Sequence, residues 1–250
     1  MIDIQNFDNY LFRCSSLSKI IPNQKTKALT ETIKKEIRKL FVEEVTNTRK
    51  QIHSKYLDKG VACEPLSTRI LQDALYPTEV LNAKKYRGHN DYITGEPDII
   101  IDGYVYDLKN AWDLFTFTEA SLTEAYEWQL IGYMWIFNLK KGRLFYTIND
   151  LPKFLLDKEL NNLLYSKEHN FNGPLDPLYF QACDELRERN SYGHLDLSER
   201  FKLWDVEYSE EKIEIIKDSV LKARSYMNDL LVEHKEHIEK NKKLMELARS

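Results

Sequence analysis

The stretch "EPDIIIDGYVYDLKN", residues 96 to 110, contains two short apolar runs separated by Asp102 and Gly103. An Asp-Gly pair between alternating apolar residues indicates a β-hairpin, because both central positions of a type I′ turn need positive φ. The pairs that follow from this turn are Ile101–Tyr104, Ile100–Val105, Ile99–Tyr106 and Asp98–Asp107. The sequence therefore predicts a hairpin that places two aspartates opposite each other.

These two aspartates and a nearby lysine form a predicted cluster, here called the hairpin triad: Asp98, Asp107 and Lys109. Side chains alternate along a strand, so Lys109 shares a face with Asp107, whereas Leu108 points to the opposite, apolar side. Opposed carboxylates with Cβ atoms about 5 Å apart repel by roughly 3 kcal/mol at an effective dielectric constant of about 20. A divalent cation, a shared proton or a salt bridge to Lys109 would relieve this repulsion.

A metal ion is the alternative that involves the whole triad, because carboxylate and backbone oxygens are the ligands that Mg²⁺ and Mn²⁺ prefer. Aspartates at strand ends are also common as turn formers and solvated edge residues. From the hairpin alone both interpretations remain open.

The composition predicts one α/β domain with helical extensions. The chain has 250 residues, of which 42% are hydrophobic, and this is enough for a single sizeable core. The cysteines Cys14, Cys63 and Cys183 are scattered and form no C-x-x-C pair, which indicates free thiols in a reducing compartment. Because we find neither a signal peptide nor a run of about 18 apolar residues, we expect a soluble, cytoplasmic protein.

Charge is unevenly distributed along the chain. The net charge is −4, but residues 9 to 55 contain eleven Lys or Arg and four Glu. A local basic face can bind phosphate groups whatever the total charge. The same segment also fits a solvated amphipathic helix with Ile33, Ile37, Leu40 and Phe41 inward. The charge pattern is therefore compatible with a nucleic-acid partner and does not require one.

Hydrophobic periodicity and turn residues predict the remaining elements. The predictions are helices at residues 29 to about 56 and from near Pro65 onward, a buried helix at 123–138, strands at 142–148 and 200–208, short helices within 152–199, and a long charged helix at 209–248. We find no internal repeat and no Walker-type phosphate loop. ATP-driven activity is therefore not expected.

Two further positions are candidate site residues. Gln129 and Tyr133 lie four residues apart and share one face of the predicted buried helix. A buried primary amide needs hydrogen-bond partners or costs about 1–3 kcal/mol, so Gln129 bonds either the hairpin triad or a backbone group. Glu64 precedes Pro65, a residue favoured in a first helical turn. It is either a site residue or an acidic residue that complements the helix dipole.

Taken in order, these elements resemble a known nuclease superfamily. They are Glu64, the "GEPD" that ends at Asp98, the "DLK" from Asp107 to Lys109, and the "QLIGY" from Gln129 to Tyr133. This series resembles the PD-(D/E)xK nucleases, and the Q-x-x-x-Y element resembles their RecB-like branch, with phage lambda exonuclease and the YqaJ-like viral recombinases. The early "RCSSLSKI", residues 13 to 20, is also similar to the opening segment of such phage enzymes. The resemblance extends over residues 13 to 137, more than half of the chain.

The resemblance implies a restriction-endonuclease-like α/β core with a central mixed β-sheet flanked by helices and a long C-terminal helix. It implies one nuclease domain over residues 1 to 250, with the catalytic core at about 10–150 and a C-terminal strand and helical extension at 151–250. The implied catalytic residues are Glu64, Asp98, Asp107, Lys109, Gln129 and Tyr133. The implied ligands of Mg²⁺, with Mn²⁺ as an alternative, are Glu64, Asp98, Asp107 and the Leu108 carbonyl. The implied DNA contacts are Arg13, Ser15, Ser16 and Lys19.

The implied function is metal-dependent exonuclease hydrolysis of DNA, of the kind used in phage recombination. The alternatives are a nuclease-fold protein that binds DNA without cutting it, and an endonuclease or nickase on the same fold. The expected partners are linear duplex ends, further copies of the chain in a ring-shaped homo-oligomer, and a single-strand-annealing protein. No membrane partner is expected, and for a viral protein the location would be the host cytoplasm.

Overall fold

The computed structural model describes residues 4–23, 27–49, 54–81, 87–166 and 171–249, which form a mixed α/β fold. Its strands are β1 (Phe12–Arg13), β2 (Gly88–His89), β3 (Ile93–Gly95), β4 (Ile99–Ile101), β5 (Tyr104–Ala111), β6 (Lys141–Ile148) and β7 (Phe201–Glu207). Its α-helices are α1 (Glu31–Thr46), α2 (Lys55–Leu75), α3 (Leu114–Glu119), α4 (Glu124–Phe137), α5 (Lys153–Leu164), α6 (Pro177–Arg189) and α7 (Glu210–Leu247). The predicted α/β class, with mixed sheets flanked by helices and a long C-terminal helix, is confirmed.

The hairpin of β4 and β5 has the predicted register, with Ile99 opposite Tyr106. Asp102 and Gly103 have φ angles of 50° and 76°, as a type I′ turn requires. The central sheet has the order β4-β5-β6-β7, in which β5 and β6 run parallel and the other pairs are antiparallel. β4 pairs only with the first three residues of β5, so no described strand covers the rest of that edge.

The two faces of the central sheet are covered by different helices. On one face, Val105 and Leu144 pack in a core that includes Leu130 and Met134 of α4. On the other face, Leu108 belongs to a core that includes side chains of α2. The predicted alternation along β5 is therefore confirmed.

The smaller sheet has the order β1-β3-β2 and lies against α4. The approach is close at Gly95, where an added Cβ would lie 2.6 Å from Cε1 of Tyr133 and 2.7 Å from Sγ of Cys14. This contact brings β3 and the 3-10 turn Cys14–Lys19 next to the α4 residues predicted to form the site. Only glycine allows that approach without displacing the neighbouring side chains.

The predicted helix over residues 29 to 56 is wrong in its second half. α1 begins after Thr30, whose side chain accepts a hydrogen bond from the Ile33 amide. It ends at Thr46 because Asn47 adopts a left-handed conformation with φ of 51°, a common helix terminator. Residues 50–53 of the predicted helix lie outside the described residues.

The predicted start of the second helix near Pro65 is also wrong, because α2 begins at Lys55 and contains Pro65 in its interior. A proline cannot donate to the carbonyl four residues earlier, which belongs to Val61. Both residues are exposed, so water can bond that carbonyl and the helix continues. Glu64 therefore lies in the middle of α2 and not in a first turn.

The other predicted elements are confirmed within a residue or two. The buried helix is α4, the strands are β6 and β7, and α5 and α6 are the short helices of the polar segment. The last helix, α7, is capped by Ser209, whose side chain accepts from the Lys212 amide. Its residues Ile213, Ile216, Val220, Ala223 and Met227 are buried in the core that also contains Ile33, Ile37 and Phe41 of α1.

No helix within the described residues is long and apolar enough to span a membrane. The three cysteines are free and buried, as expected.

The hairpin turn can be tested with a matched pair of glycine substitutions. Gly103 has a φ of 76° and open space around its missing Cβ, so Gly103→Ala introduces backbone strain without a clash. We expect the free energy of unfolding to fall by about 1–2 kcal/mol in a urea titration. Gly60→Ala also places its Cβ in open space, but in the interior of α2, and should raise that free energy by up to about 1 kcal/mol. Equal stability of the two variants would contradict the turn assignment.

Candidate active site

Asp98 and Asp107 lie side by side where β4 begins, since Asp98 directly precedes Ile99. Oδ2 of Asp98 accepts a hydrogen bond of 2.6 Å from the Leu108 amide, which extends the hairpin pairing by one step with a side chain in place of a strand. Asp107 is only 1% exposed, whereas Asp98 is partly buried. The hairpin thus holds the Asp98 carboxylate through the Leu108 amide, and it holds the Asp107 carboxylate by burial.

The buried carboxylate of Asp107 has a different partner for each oxygen. Nζ of Lys109 lies 2.6 Å from Oδ2, and Nε2 of Gln129 donates to Oδ1 over 2.8 Å. Nε2 of Gln129 also donates to the Tyr133 hydroxyl over 2.8 Å. Of the two alternatives that the sequence left open for Gln129, its buried amide therefore bonds the hairpin triad.

The charges of the triad act on each other because the site is largely removed from water. Burial and then the charge of Asp107 raise the pKa of Asp98 to about 6. Burial has the largest single effect on Lys109 and would lower its pKa, but the charge and hydrogen bond of Asp107 together with the charge of Asp98 raise that pKa. Burial and the charge of Asp107 likewise raise the pKa of Tyr133. Lys109 therefore stays charged at neutral pH and partly offsets the repulsion between the aspartates.

Glu64 approaches the triad from α2, on the other side of the sheet. Its charge contributes to the raised pKa of Asp98, after burial and Asp107. Within the described ranges, however, no three His, Cys, Asp or Glu side chains form a group that could hold a metal ion. The structure thus brings together Asp98, Asp107, Lys109, Gln129 and Tyr133, and leaves Glu64 at the margin of this group.

One atom of the triad favours an additional ligand. Oδ2 of Asp107 is buried, and the Lys109 ammonium 2.6 Å away is its partner. A carboxylate oxygen has two lone pairs, so Oδ2 can also bind a cation or accept from a water molecule. Mg²⁺ commonly takes one or two carboxylates from a protein and keeps several waters. Asp98 and Asp107 would be the two protein carboxylates of such a magnesium site, with water molecules as the other ligands and no need for a third carboxylate.

A buried polar cluster on the other face of the sheet supports the backbone of the site, and the sequence analysis missed it. Oγ of Ser67 lies 2.7 Å from Oγ1 of Thr147, which donates to the carbonyl of Lys109 over 3.2 Å. Nδ2 of Asn149 donates to Oδ1 of Asn110 over 2.8 Å. These bonds fix β5 from behind at the position of the catalytic candidates. The sequence signal for this polar cluster was the presence of short polar residues within an otherwise apolar strand.

The predicted DNA contacts separate into two places. Arg13 and Ser15 line a cavity of about 130 Å³ whose wall includes Tyr133. Ser16 and Lys19 instead line a cavity of about 390 Å³ against α1, which Arg13 also reaches. The smaller cavity contains a second guanidinium, that of Arg87. Arg87 belongs to no motif and was missed by the sequence analysis.

Comparison with known proteins supports the fold. No protein-family model matches the sequence, and no curated protein sequence is similar to it. The structure is similar to a phage-related exonuclease from Haemophilus somnus, with a TM-score of 0.70 and 22% identity over 90% of this chain and 97% of that chain. It is also similar to the alkaline exonuclease LHK-Exo from Laribacter hongkongensis, with a TM-score of 0.56 and 12% identity over 95% and 96% of the two chains.

The same Laribacter enzyme in complex with dAMP matches with a TM-score of 0.52 and 12% identity over 94% of each chain. The chain therefore has the fold of these exonucleases over nearly its whole length.

Two substitutions test the charge balance of the triad without metal. Asp98→Asn removes one charge, while its amide oxygen can still accept from the Leu108 amide, so we expect the melting temperature in EDTA at pH 7.5 to rise by a few degrees. Asp107→Asn leaves Lys109 without its counter-charge and should lower the melting temperature.

The pH dependence follows from the raised pKa of Asp98. Because the folded state holds this proton more tightly than the unfolded state, wild-type stability should fall as pH rises from about 4 to about 6. The stability of the Asp98→Asn variant should not show this decrease with rising pH. Calorimetry that finds the same pH slope in both proteins would contradict the assignment.

Proposed function

We propose that this chain is a metal-dependent deoxyribonuclease that hydrolyses phosphodiester bonds from the ends of linear DNA. The observation that carries the proposal is the convergence of the hairpin triad, Gln129 and Tyr133 beside the uncovered edge of β5. The fold shared with a phage-related exonuclease and an alkaline exonuclease supports the same conclusion.

The order of the motifs supports the PD-(D/E)xK superfamily and its RecB-like branch. In such a site Asp98, Asp107 and the Leu108 carbonyl would hold Mg²⁺ or Mn²⁺, and Glu64 would supply a further ligand. A cation bound there lowers the pKa of a coordinated water and stabilises negative charge on the phosphate. Oδ2 of Asp107, at which the Lys109 ammonium occupies only one lone pair, supports this assignment.

The protein residues supply orientation and charge. Lys109 is held by Asp107 and remains protonated, so it places a positive charge where negative charge develops on the phosphate. Gln129 donates to Oδ1 of Asp107 and so leaves Oδ2 to Lys109 and to a bound cation, while the Tyr133 hydroxyl accepts from the same amide of Gln129. Gln129 and Tyr133 therefore act as positioning residues.

The smaller cavity is suited to a terminal phosphate. Arg13 and Arg87 offer guanidinium groups and Ser15 offers a hydroxyl, and all three are donors that recognise phosphate oxygens. The Glu96 carboxylate, 3.7 Å from Nε of Arg87, also lines this cavity, so Arg87 would exchange this carboxylate for the phosphate. Ser16 and Lys19 would contact the backbone farther from the reaction. The LHK-Exo complex with dAMP supports nucleotide binding by a protein of this fold.

We further propose self-association into a ring and transfer of the exposed strand to a single-strand-annealing protein. The outer half of α7 supports an interaction of this kind, because Val232, Met245 and Leu247 are 57%, 55% and 73% exposed there. Exposed apolar groups on a helix favour burial against another protein surface. Light scattering that gives the mass of a monomer would remove this part of the proposal and leave the nuclease assignment in place.

Lys109→Met should reduce cleavage of linear duplex by about 100-fold or more while the protein remains folded, because it removes the positive charge beside the phosphate. Initial rates in Mg²⁺ measure the loss, and circular dichroism checks the fold. Lys153→Met is a matched control, since the Lys153 side chain is 86% exposed on α5. If Lys109→Met keeps more than about a tenth of wild-type activity, the role assigned to Lys109 is wrong.

The need for a DNA end distinguishes the exonuclease from the endonuclease alternative. Linear duplex and covalently closed circles of the same sequence are incubated with the protein in Mg²⁺ at low salt. We expect rapid loss of the linear form, no loss of circles and no reaction in EDTA. Contacts to phosphates carry no sequence information, so the rate should not depend on sequence. Equal cutting of both substrates would favour an endonuclease with the same catalytic residues.

A further inference from the structure

The strand that carries Asp107 and Lys109 ends beside two exposed aromatic side chains, Tyr56 and Phe115, and the half-buried ring of Trp112. Trp112 follows the last residue of β5, and its ring contacts the Tyr56 ring edge-on with centroids 5.3 Å apart. Phe115 lies in the first turn of α3 and is 80% exposed, and Tyr56 at the start of α2 is 61% exposed. We call Tyr56, Trp112 and Phe115 the aromatic platform.

The platform is held on a fixed backbone. The ammonium of Lys59, itself only 1% exposed, donates to the Trp112 carbonyl over 2.7 Å. The next residue, Asp113, caps α3 by accepting from the Thr116 amide over 2.8 Å. Trp112 and Phe115 are therefore placed by buried and capped neighbours and not by a free loop.

The chemistry around the rings is that of a surface for nucleic-acid bases. The Lys55 ammonium lies 4.7 Å from the centroid of the Trp112 ring and 2.8 Å from Oε2 of Glu159, which leaves ring stacking as the main attraction for a base. Phe115 has no aromatic or cation contact within the described residues. Exposed aromatic rings next to a basic side chain bind successive bases by stacking, whatever the base.

We propose that the aromatic platform binds unpaired bases of the strand whose phosphodiester lies at the hairpin triad. This inference rests on the proposed function. Trp112 is three residues beyond Lys109, about 10 Å along an extended strand, which corresponds to about three stacked nucleotides.

Trp112 contacts α2, whereas Lys109 is on the face of α4. A nucleic-acid strand can still reach both, because no described strand covers the edge of β5 beyond Tyr106. The uncovered edge is therefore the path that connects the triad with the platform.

The size of the platform favours bases over a protein partner. Each aromatic side chain buries about 150–250 Å² when fully covered, so three of them supply at most about 750 Å². Stable protein interfaces bury about 800 Å² per partner, and the platform is bordered by Lys55, Asp58 and Asp113. A base stacks on a single ring and tolerates charged neighbours.

The binding test uses the full chain and a fluorescent oligothymidylate of about 12 nucleotides in EDTA, with affinity measured by anisotropy. We expect Phe115→Ala and Tyr56→Ala each to weaken binding by roughly five- to a hundredfold, as for the loss of one stacked base. Tyr165→Ala is the matched control, because Tyr165 is an aromatic residue that is 82% exposed at the end of α5. This control should bind as the wild type does.

A single abasic nucleotide moved along the oligonucleotide separates stacking from a merely structural effect. In the wild type, affinity should fall most when the abasic nucleotide occupies the position that faces the platform. Phe115→Ala should lose this positional minimum. Equal positional profiles in the two proteins, or wild-type affinity of both platform variants, would overturn the inference.

Two other outcomes are informative. If Phe115→Ala changes the oligomeric state and leaves affinity for the oligonucleotide unchanged, the platform contacts a second copy and the inference is wrong. If the wild type degrades linear DNA but its affinity for the oligonucleotide does not depend on the platform residues, the inference fails and the proposed function stands. If the wild type cuts no nucleic acid, the proposed function fails, whatever the binding data.

Discussion

The opposition of Asp98 and Asp107 across the hairpin is the interaction on which the rest of the site depends. The type I′ turn sets the register, and the register forces the two carboxylates together. Their repulsion is relieved in part by Lys109, while Gln129 and the Leu108 amide hold one oxygen on each side. A fold selected for stability alone would avoid such an arrangement, so the pair indicates a functional requirement.

The late start of β4, at Ile99, creates access to this pair. Because β4 pairs with only three residues of β5, the chain before Asp98 turns away into the smaller sheet, where Gly95 packs against Tyr133. Gly95 and Tyr133 also line the cavity of Arg13 and Arg87, whereas α2 packs in the core on the other face of the central sheet. The same divergence therefore leaves the edge of β5 uncovered beside the acidic pair and next to the cavity proposed to bind a phosphate.

Local patterns in the sequence were sufficient for the hairpin, its register and the buried helix α4, because turn chemistry and periodicity are encoded within a few residues. The position of Glu64 was mispredicted, since a proline on an exposed helix face costs little when water bonds the freed carbonyl. Arg87 and Asn149 could not be found, because they reach the site through tertiary packing and the parallel pairing of β5 and β6. Local signals predict elements and do not reveal partners that are distant in sequence.

A magnesium titration tests most directly whether the acidic pair is a metal site. Isothermal titration calorimetry of Mg²⁺ into the wild type, Asp98→Asn and Asp107→Asn measures binding independently of cleavage. The account predicts a specific binding isotherm for the wild type that both variants lose, because each removes a carboxylate ligand. The same isotherm in all three proteins, or no binding by the wild type up to about 10 mM Mg²⁺ at low salt, a weak limit for a protein site, would contradict it.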